Sequence, residues 1–522
     1  MTSDKRIRGG GVDRRDLLKG TAALAGAALL PGTAYAAETA KPRRGGTLRI
    51  AMPYNPASID PMTGRNLTDL NVLYQVFDAL IDFDPDTIDL KPGLAKSWKF
   101  TDPKTLVLDL ESGIEFHDGT PFDAEVVKFN LDRYKNDKRS NVKSDLGSVA
   151  SVEVTGKSQV TLHLSVANSG LPNILTNRVG LMVSPKSVKD HDGNIDRVAV
   201  GTGPFKFVSW EDNVSFVLTR NDKYWRSGLP HLDGISYKII AELNTAARTV
   251  TSGQADLALN MQPQQKAVAD RVKGIVAKAT PSLVFFGAFF NYAHPPLSDV
   301  RIRQALNWGV DRDEIVKVSV LGLGEASSAV LPTGYWATDP ETAHYYKYDP
   351  DRAKKLLADA GFAGGIEIPT WGWPDQNSMQ RQELLMAQLA KAGIKLKLTP
   401  VSPGQAMQYM MIEKRGSMLI SPCSCYPDPS QLYEALYAKT ALRNAGKIEL
   451  PGFRPLMDAT TTAQSIEERK IAFAKLQRFT IEQAMELPQY VSYGVNIMTP
   501  KVQNHRLGLL TVPKFAEVWL SA

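Results

Sequence analysis

The sequence predicts a mixed α/β protein of two or three domains, on three observations. At 522 residues the chain is too long to fold around a single hydrophobic core. Short runs alternating between apolar and polar residues recur along it, as β-strands require. Between them lie longer stretches with apolar residues at helical spacing. Composition is that of an ordinary soluble globular protein, 43% hydrophobic and 22% charged, with no low-complexity segment or short repeat. The net charge is +6, and half of it sits in residues 1–36. So small an excess gives no argument for nucleic acid or an anionic membrane surface as a partner.

Taken in order, Thr47 to Met52 alternates toward a first strand. Residues 66–82 carry Leu67, Leu70, Val72, Leu73, Val76, Phe77 and Leu80 at helical spacing. Residues 105–110 and 160–166 read as strands suited to antiparallel pairing. Asp123 caps a helix running to Arg133. Gly201-Thr-Gly-Pro-Phe leads into a hairpin, residues 205–210 and 214–220, and marks a turn more naturally than a phosphate cradle. Helices follow at 243–256, 348–362, 378–392 and 466–486, with strands at 365–368 and 489–492.

The N-terminus carries an export leader. Arg14-Arg15, then Leu17-Leu18 and Lys19, resembles the twin-arginine signal, and Ala34-Tyr35-Ala36 offers small residues for cleavage near Ala37. A membrane span needs ~20 apolar residues, and this short Ala- and Gly-dominated core falls below that. Twin-arginine export to the periplasm is therefore expected.

Residues 91–130 carry the most informative pattern: Pro92, Leu94, Ala95, Ser97 and Trp98, an alternating strand, then Phe116-His-Asp-Gly-Thr-Pro-Phe122 and a helix. This closely resembles the signature of the large extracytoplasmic solute-binding proteins, family 5, that feed peptide, nickel and opine ABC importers. Further segments match that family in order. They include LNTAARTVTSGQAD at 243–256, PPLSDVRIRQALNWGVDRDEIV at 295–316 and YDPDRAKKLLADAGF at 348–362. The resemblance implies a two-lobed periplasmic-binding-protein fold (type II, cluster C) with an extra β-rich subdomain in the first lobe. It implies a leader at 1–36, lobe I at 37–78, 198–284 and 494–522, an inserted subdomain at 79–197, and lobe II at 285–493. It also implies capture of a small to medium organic solute, peptide-like, opine-like or oligosaccharide, between the lobes. Delivery to ABC permease and ATPase subunits in the membrane is implied with it, the binding protein itself acting as a monomer. Arg301 and Arg303 stand in a helix start shared across the family, so capping and ion pairing are expected of them.

Enzymatic signals are missing. The sequence contains no Gly-x-Ser-x-Gly elbow, Walker loop, His-Glu-x-x-His or Cys-x-x-Cys. The seven histidines are scattered without a metal-binding pair, and His117 reads as a residue that stabilises its own turn. No catalysis, cofactor or metal is expected. The rival readings are a periplasmic hydrolase, for which no constellation is recognisable, and a binding protein retired to signalling or chaperoning.

Eight residues are candidate ligand contacts. Tyr54 and Asn55 follow the first strand, and Trp371 and Trp373 follow a later one, where loops of α/β lobes often face a cleft. Paired tryptophans suit an apolar, aromatic or sugar face. Cys423, Cys425, Tyr426 and Asp428 lie in LISPCSCYPDPSQLYEALY at 419–437. Peptide-binding relatives carry Trp-x-x-Asp-Tyr-x-x-Pro here, and their first Asp holds the peptide ammonium. Aligned on that pattern, Pro422 takes the Trp position and Cys425 the Asp position. A neutral thiol lacks the charge that offsets desolvation of an ammonium, so an ordinary peptide with a free amino terminus is a poor fit. The resemblance gives Asp428 the role of holding the loop, with substitution for the missing Asp as its alternative. Cys423 and Cys425 are too close for an unstrained disulfide. With Met407, Met410, Met411 and Met418 they admit a soft-metal reading, against which filling of apolar space is the commoner role of such methionines.

Overall fold

The computed structural model describes residues 41–522 except Arg65, Cys425 and Leu442, and the side chains of Leu67 and Met407 are also outside it. The leader and Cys425 therefore lie outside the described residues. One eleven-stranded sheet runs through the protein. Its order is Ile394–Pro400, Ile366–Gly372, Met418–Ser424, Val276–Phe290, Glu486–Met498, Leu257–Met261, Thr47–Met52, Gly234–Ile239, Ser215–Arg220 and Phe205–Glu211, with Gly324–Ala326 added against Glu486–Met498. The strands expected of lobe I fill one end of this order and those expected of lobe II the other, on either side of the long antiparallel pair 276–290 and 486–498.

That shared pair explains how the lobes are joined. Residues 276–281 pair with 498–493, residues 285–289 pair with 491–486, and the register shifts between Pro281 and Phe285. In the gap hydroxyls replace ladder bonds: Ser282 Oγ donates to the Ser492 carbonyl at 2.7 Å, and Ser492 Oγ to the Val284 carbonyl at 3.0 Å. A second shift leaves Gln489 without an opposite residue, as a β-bulge does.

Strand directions place the strand ends. Thr47–Met52 runs parallel to Leu257–Met261, which is antiparallel to 486–498. Ile366–Gly372 runs parallel to Met418–Ser424, which is antiparallel to 276–290. The two sets of inner strands therefore run in opposite senses, each with its carboxyl end toward the crossing: Met261 pairs with Val495 and Ser424 with Val284.

A separate four-stranded antiparallel sheet, Ala95–Asp102, Thr105–Leu110, Gln159–Leu164 and Val149–Gly156, has its own core with the helix Ala124–Asn136. Asp123 caps that helix by accepting from Val126 N at 3.1 Å. The turn around His117 closes against the first lobe. Its Nε2 meets the Gly203 carbonyl at 2.9 Å, and burial pushes the imidazole down to about 4. Gly201 and Gly203 are required here because a Cβ would fall 2.1 Å and 2.6 Å, respectively, from the Val76 carbonyl oxygen.

The helix expected over 66–82 is shorter. A 3-10 turn, Leu67–Asp69, leads into Leu70–Val76, and Phe77 turns the chain extended. Half-buried Asp78 then collects Tyr224 OH at 2.9 Å and Trp225 Nε1 at 2.8 Å, and Ile81–Phe83 is a strand. Arg301 pairs with Asp299 at 2.6 Å, while buried Arg303 donates to the Gln483 and Ala484 carbonyls that end the helix Ile466–Glu482.

Candidate ligand cleft

Segments expected of the two lobes meet along two seams. On one side Asn377 Nδ2 donates to Gln262 Oε1, and Gln264 Nε2 to the Ser319 carbonyl at 3.4 Å. On the other, the inserted subdomain reaches the second lobe: Gln431 Nε2 donates to Asp145 Oδ1 at 3.2 Å, and Ser169 N to the Thr461 carbonyl at 2.8 Å. Burial pushes the Asp145 carboxyl up to about 6, against the pull of Gln431 and the charge of Arg178.

Tyr54 follows the first strand and is 47% exposed. Partial burial raises the phenol, and the negative charge of Asp375 adds to the rise. Asp375 caps the helix Gln376–Lys391 by accepting from Ser378 N at 3.0 Å. Trp373, two residues before Asp375, is half-buried, and its carbonyl accepts from Gln382 at 2.8 Å.

Four other sequence candidates are committed to their own lobe. Asn55 is not free: its amide donates to Asp212 at 3.0 Å, and its oxygen accepts from Trp210 Nε1 and Asn213 N, both at 3.1 Å. Trp371 lies within the strand Ile366–Gly372 and not in a loop after it. Its ring sits 5.3 Å from Tyr409 and its Nε1 donates to the Arg415 carbonyl at 3.0 Å. Cys423 is a buried free thiol in the main core, in contact with Arg443 Nη1 at 3.2 Å; burial pushes its ionisation up.

Asp428 is fully buried and accepts from Arg469 at 2.9 and 2.7 Å and from Ser430 N at 3.0 Å, capping the helix Pro429–Tyr437. Both carboxylate oxygens accept from Arg469, which ties the start of the helix Pro429–Tyr437 to the helix Ile466–Glu482. Tyr426, between them, is partly buried and packs on the main core. Among the described residues no three His, Cys, Asp or Glu side chains gather as metal ligands, and no helix is long and apolar enough to cross a membrane.

Sequence reading missed the residues that bond across the seams, among them Gln262, Asn377, Asp145 and Gln431, and beside them the helix cap Asp375 and the buried Arg381. The only local signal was the Asp375 cap, with Asn377 and Arg381 four residues apart on the helix that follows it.

Comparison with known proteins places this geometry. Residues 89–444 match the bacterial extracellular solute-binding proteins, family 5 (middle), and residues 11–31 match the twin-arginine translocation signal. The chain is 29% identical over 360 residues to the glutathione-binding protein GsiB of Pectobacterium atrosepticum, covering 68% of this chain and 69% of that one. The Escherichia coli K12 protein of the same name is 29% identical over 365 residues, covering 68% and 70%.

Solved structures share the fold. The periplasmic binding protein DppA of Helicobacter pylori, in complex with the peptide STSA, aligns at TM-score 0.81 and 21% identity, covering 92% of this chain and 99% of that one. AgaA from A. tumefaciens R10, in complex with agropinic acid, aligns at 0.80 and 22%, covering 91% and 99%. The chain belongs to the family 5 bacterial extracellular solute-binding proteins, as an exported, periplasmic binding protein of the ABC-importer type.

Proposed function

We propose that this protein captures a peptide-like or conjugated amino-acid solute between its lobes and hands it, chemically unchanged, to a membrane permease and its ATPase. The observation that carries this is the convergence of inner strand ends from both lobes on one crossing, with direct bonds across two seams. Hinge closure of this kind asks only for small changes in φ and ψ at the crossing. We take the lobe borders near residues 284 and 494, where the register of the shared strands breaks. The likeness to glutathione-binding proteins supports a peptide-like conjugate. Cys425, in place of the acid that holds a peptide ammonium in peptide-binding relatives, argues against ordinary peptides. Tyr54, Trp373, Cys425 and Tyr426 are the contacts that remain from the sequence candidates. The chain works as a monomer.

Stripping the purified mature protein by unfolding and refolding, then screening it by thermal shift, tests this. The panel contains reduced and oxidised glutathione, opine-type conjugates, di- and tripeptides, and maltotriose. Ligand at 100 times its dissociation constant adds about 2.7 kcal/mol to the folded state. A shift with glutathione or opine-type conjugates and none with plain dipeptides is expected. A strong shift with dipeptides alone would overturn the Cys425 argument, and turnover of a bound compound would overturn simple capture.

A further inference from the structure

We infer that Arg381 is the counter-charge for a carboxylate of the captured solute, an inference that rests on the capture reading above. Five arginines are buried among the described residues: Arg178, Arg303, Arg312, Arg381 and Arg469. Arg178 and Arg469 pair with carboxylates, Asp69 at 3.5 Å and Asp428 at 2.7 Å. Arg303 and Arg312 are satisfied by backbone carbonyls, among them Gln483 at 2.9 Å and Pro488 at 2.8 Å. Arg381 has neither. Its Nη2 donates to Ser378 Oγ at 3.2 Å, its Nη1 makes a long contact of 3.5 Å to Tyr490 OH, and its Nε has no partner.

Its position is set by the helix Gln376–Lys391. Asn377, one turn earlier, reaches Gln262 of the first lobe, and residues four apart share a helix face. Arg381 therefore lies on the face turned toward the other lobe. Its guanidinium stacks 4.5 Å from the ring of Phe286, which is itself stacked on Tyr490. Phe286 and Tyr490 are paired residues of the two shared strands, one step from the register break at the crossing. A fixed cation thus stands behind the Asp375 loop, beside the hinge, with an aromatic wall beneath it.

A buried charge without a counter-ion is costly, and a planar guanidinium with an unsatisfied N–H suits a carboxylate in bidentate geometry. Glu383, the acid nearest in sequence, is exposed, and Asp375 is engaged as the helix cap; neither makes an ion pair with Arg381. A solute carboxylate entering between the lobes would supply the missing charge. It would also favour the closed arrangement, because the Arg381 face meets the first lobe only there.

The test uses the stripped full-length mature protein with Arg381→Met and Arg381→Lys. The probe is a bacterial small-molecule extract split on an anion-exchange resin into retained and flow-through fractions. Thermal shift is read first, and captured compounds are then identified by mass spectrometry. The retained fraction is expected to raise the wild-type midpoint. Affinity for the captured compound should fall by roughly 30-fold or more in Arg381→Met and by less in Arg381→Lys. Ligand-free Arg381→Met should melt no lower than wild type, since it removes an unpaired buried charge.

Capture by wild type of a compound without a carboxylate, or equal binding by Arg381→Met, would overturn the inference. Silence of both fractions toward wild type would count against solute capture itself. A ligand-free Arg381→Met that melts clearly below wild type would then assign the residue to holding its own lobe.

Discussion

Arg469→Met is the most demanding perturbation of the loop that Asp428 anchors. Asp428 is 0% exposed and Arg469 4%, and the guanidinium makes both charge-assisted bonds to the carboxylate. It also donates to the Thr460 carbonyl at 3.0 Å and lies over the rings of Trp336 and Phe473. Methionine would fill much of the same apolar volume but leave the carboxylate with only Ser430 N and Oγ. Breaking a buried pair by removing one partner costs about 3–5 kcal/mol, and losing the ring contacts adds roughly 0.5–1 kcal/mol.

Asp428→Asn keeps a good helix cap but leaves the guanidinium without its counter-charge, so it should cost a similar amount. The double variant removes both charges, and its cost should fall below the sum of the singles by about 0.5–3 kcal/mol. Urea unfolding followed by circular dichroism reads all three. A loss under ~1 kcal/mol for Arg469→Met, or strict additivity in the double variant, would refute the reasoning that this pair holds the loop.

Three further outcomes are expected. His117 is held down to about 4 when folded and titrates near 6.5 when unfolded, so the unfolded state binds the extra proton as pH falls through that window. Its share of stability, about 3 kcal/mol at ~1.4 kcal/mol per pH unit, should be lost between pH 6.5 and 4. His117→Gln should flatten that slope in pH-dependent urea titrations, and an unchanged slope would contradict the assignment. Gly203→Ala places a Cβ 2.5 Å from the Val76 carbonyl carbon, so a loss of about 1–3 kcal/mol or more in the same assay is expected. Replacing Arg14 and Arg15 by Lys should leave uncleaved precursor in the cytoplasm on fractionation; normal export would contradict the twin-arginine assignment.

Much of the fold was legible because its signals are local. The Asp123 cap and the 205–211 and 215–220 hairpin each follow from a few neighbouring residues. The segment 66–82 was overread because apolar spacing reports burial without saying which element delivers it. There the helix ends at Val76, Phe77 turns extended, and half-buried Asp78 is bound to residues about 145 positions away. Trp371 was placed one element too late for a related reason. The strand continues through it because Met418–Ser424 offers a parallel partner some 50 residues on.

The site was less legible than the fold. Cys423 and Asp428 carry the right chemistry, but their partners, Arg443 and Arg469, are 20 and 41 residues away. Arg381 could not be singled out at all. What distinguishes it is the lack of a carboxylate or carbonyl around it, and that shows only once Phe286 and Tyr490 are brought beside it.

The central claim, solute capture by lobe closure, is tested most directly by the distance between lobes. Spin labels at Val268 in the first lobe and Ile412 in the second, both exposed, report it by double electron–electron resonance. The account predicts a broad distribution of longer distances in the stripped protein. That distribution should collapse to one narrow, shorter distance when a solute found by thermal shift is added. An identical distribution with and without bound solute would contradict it.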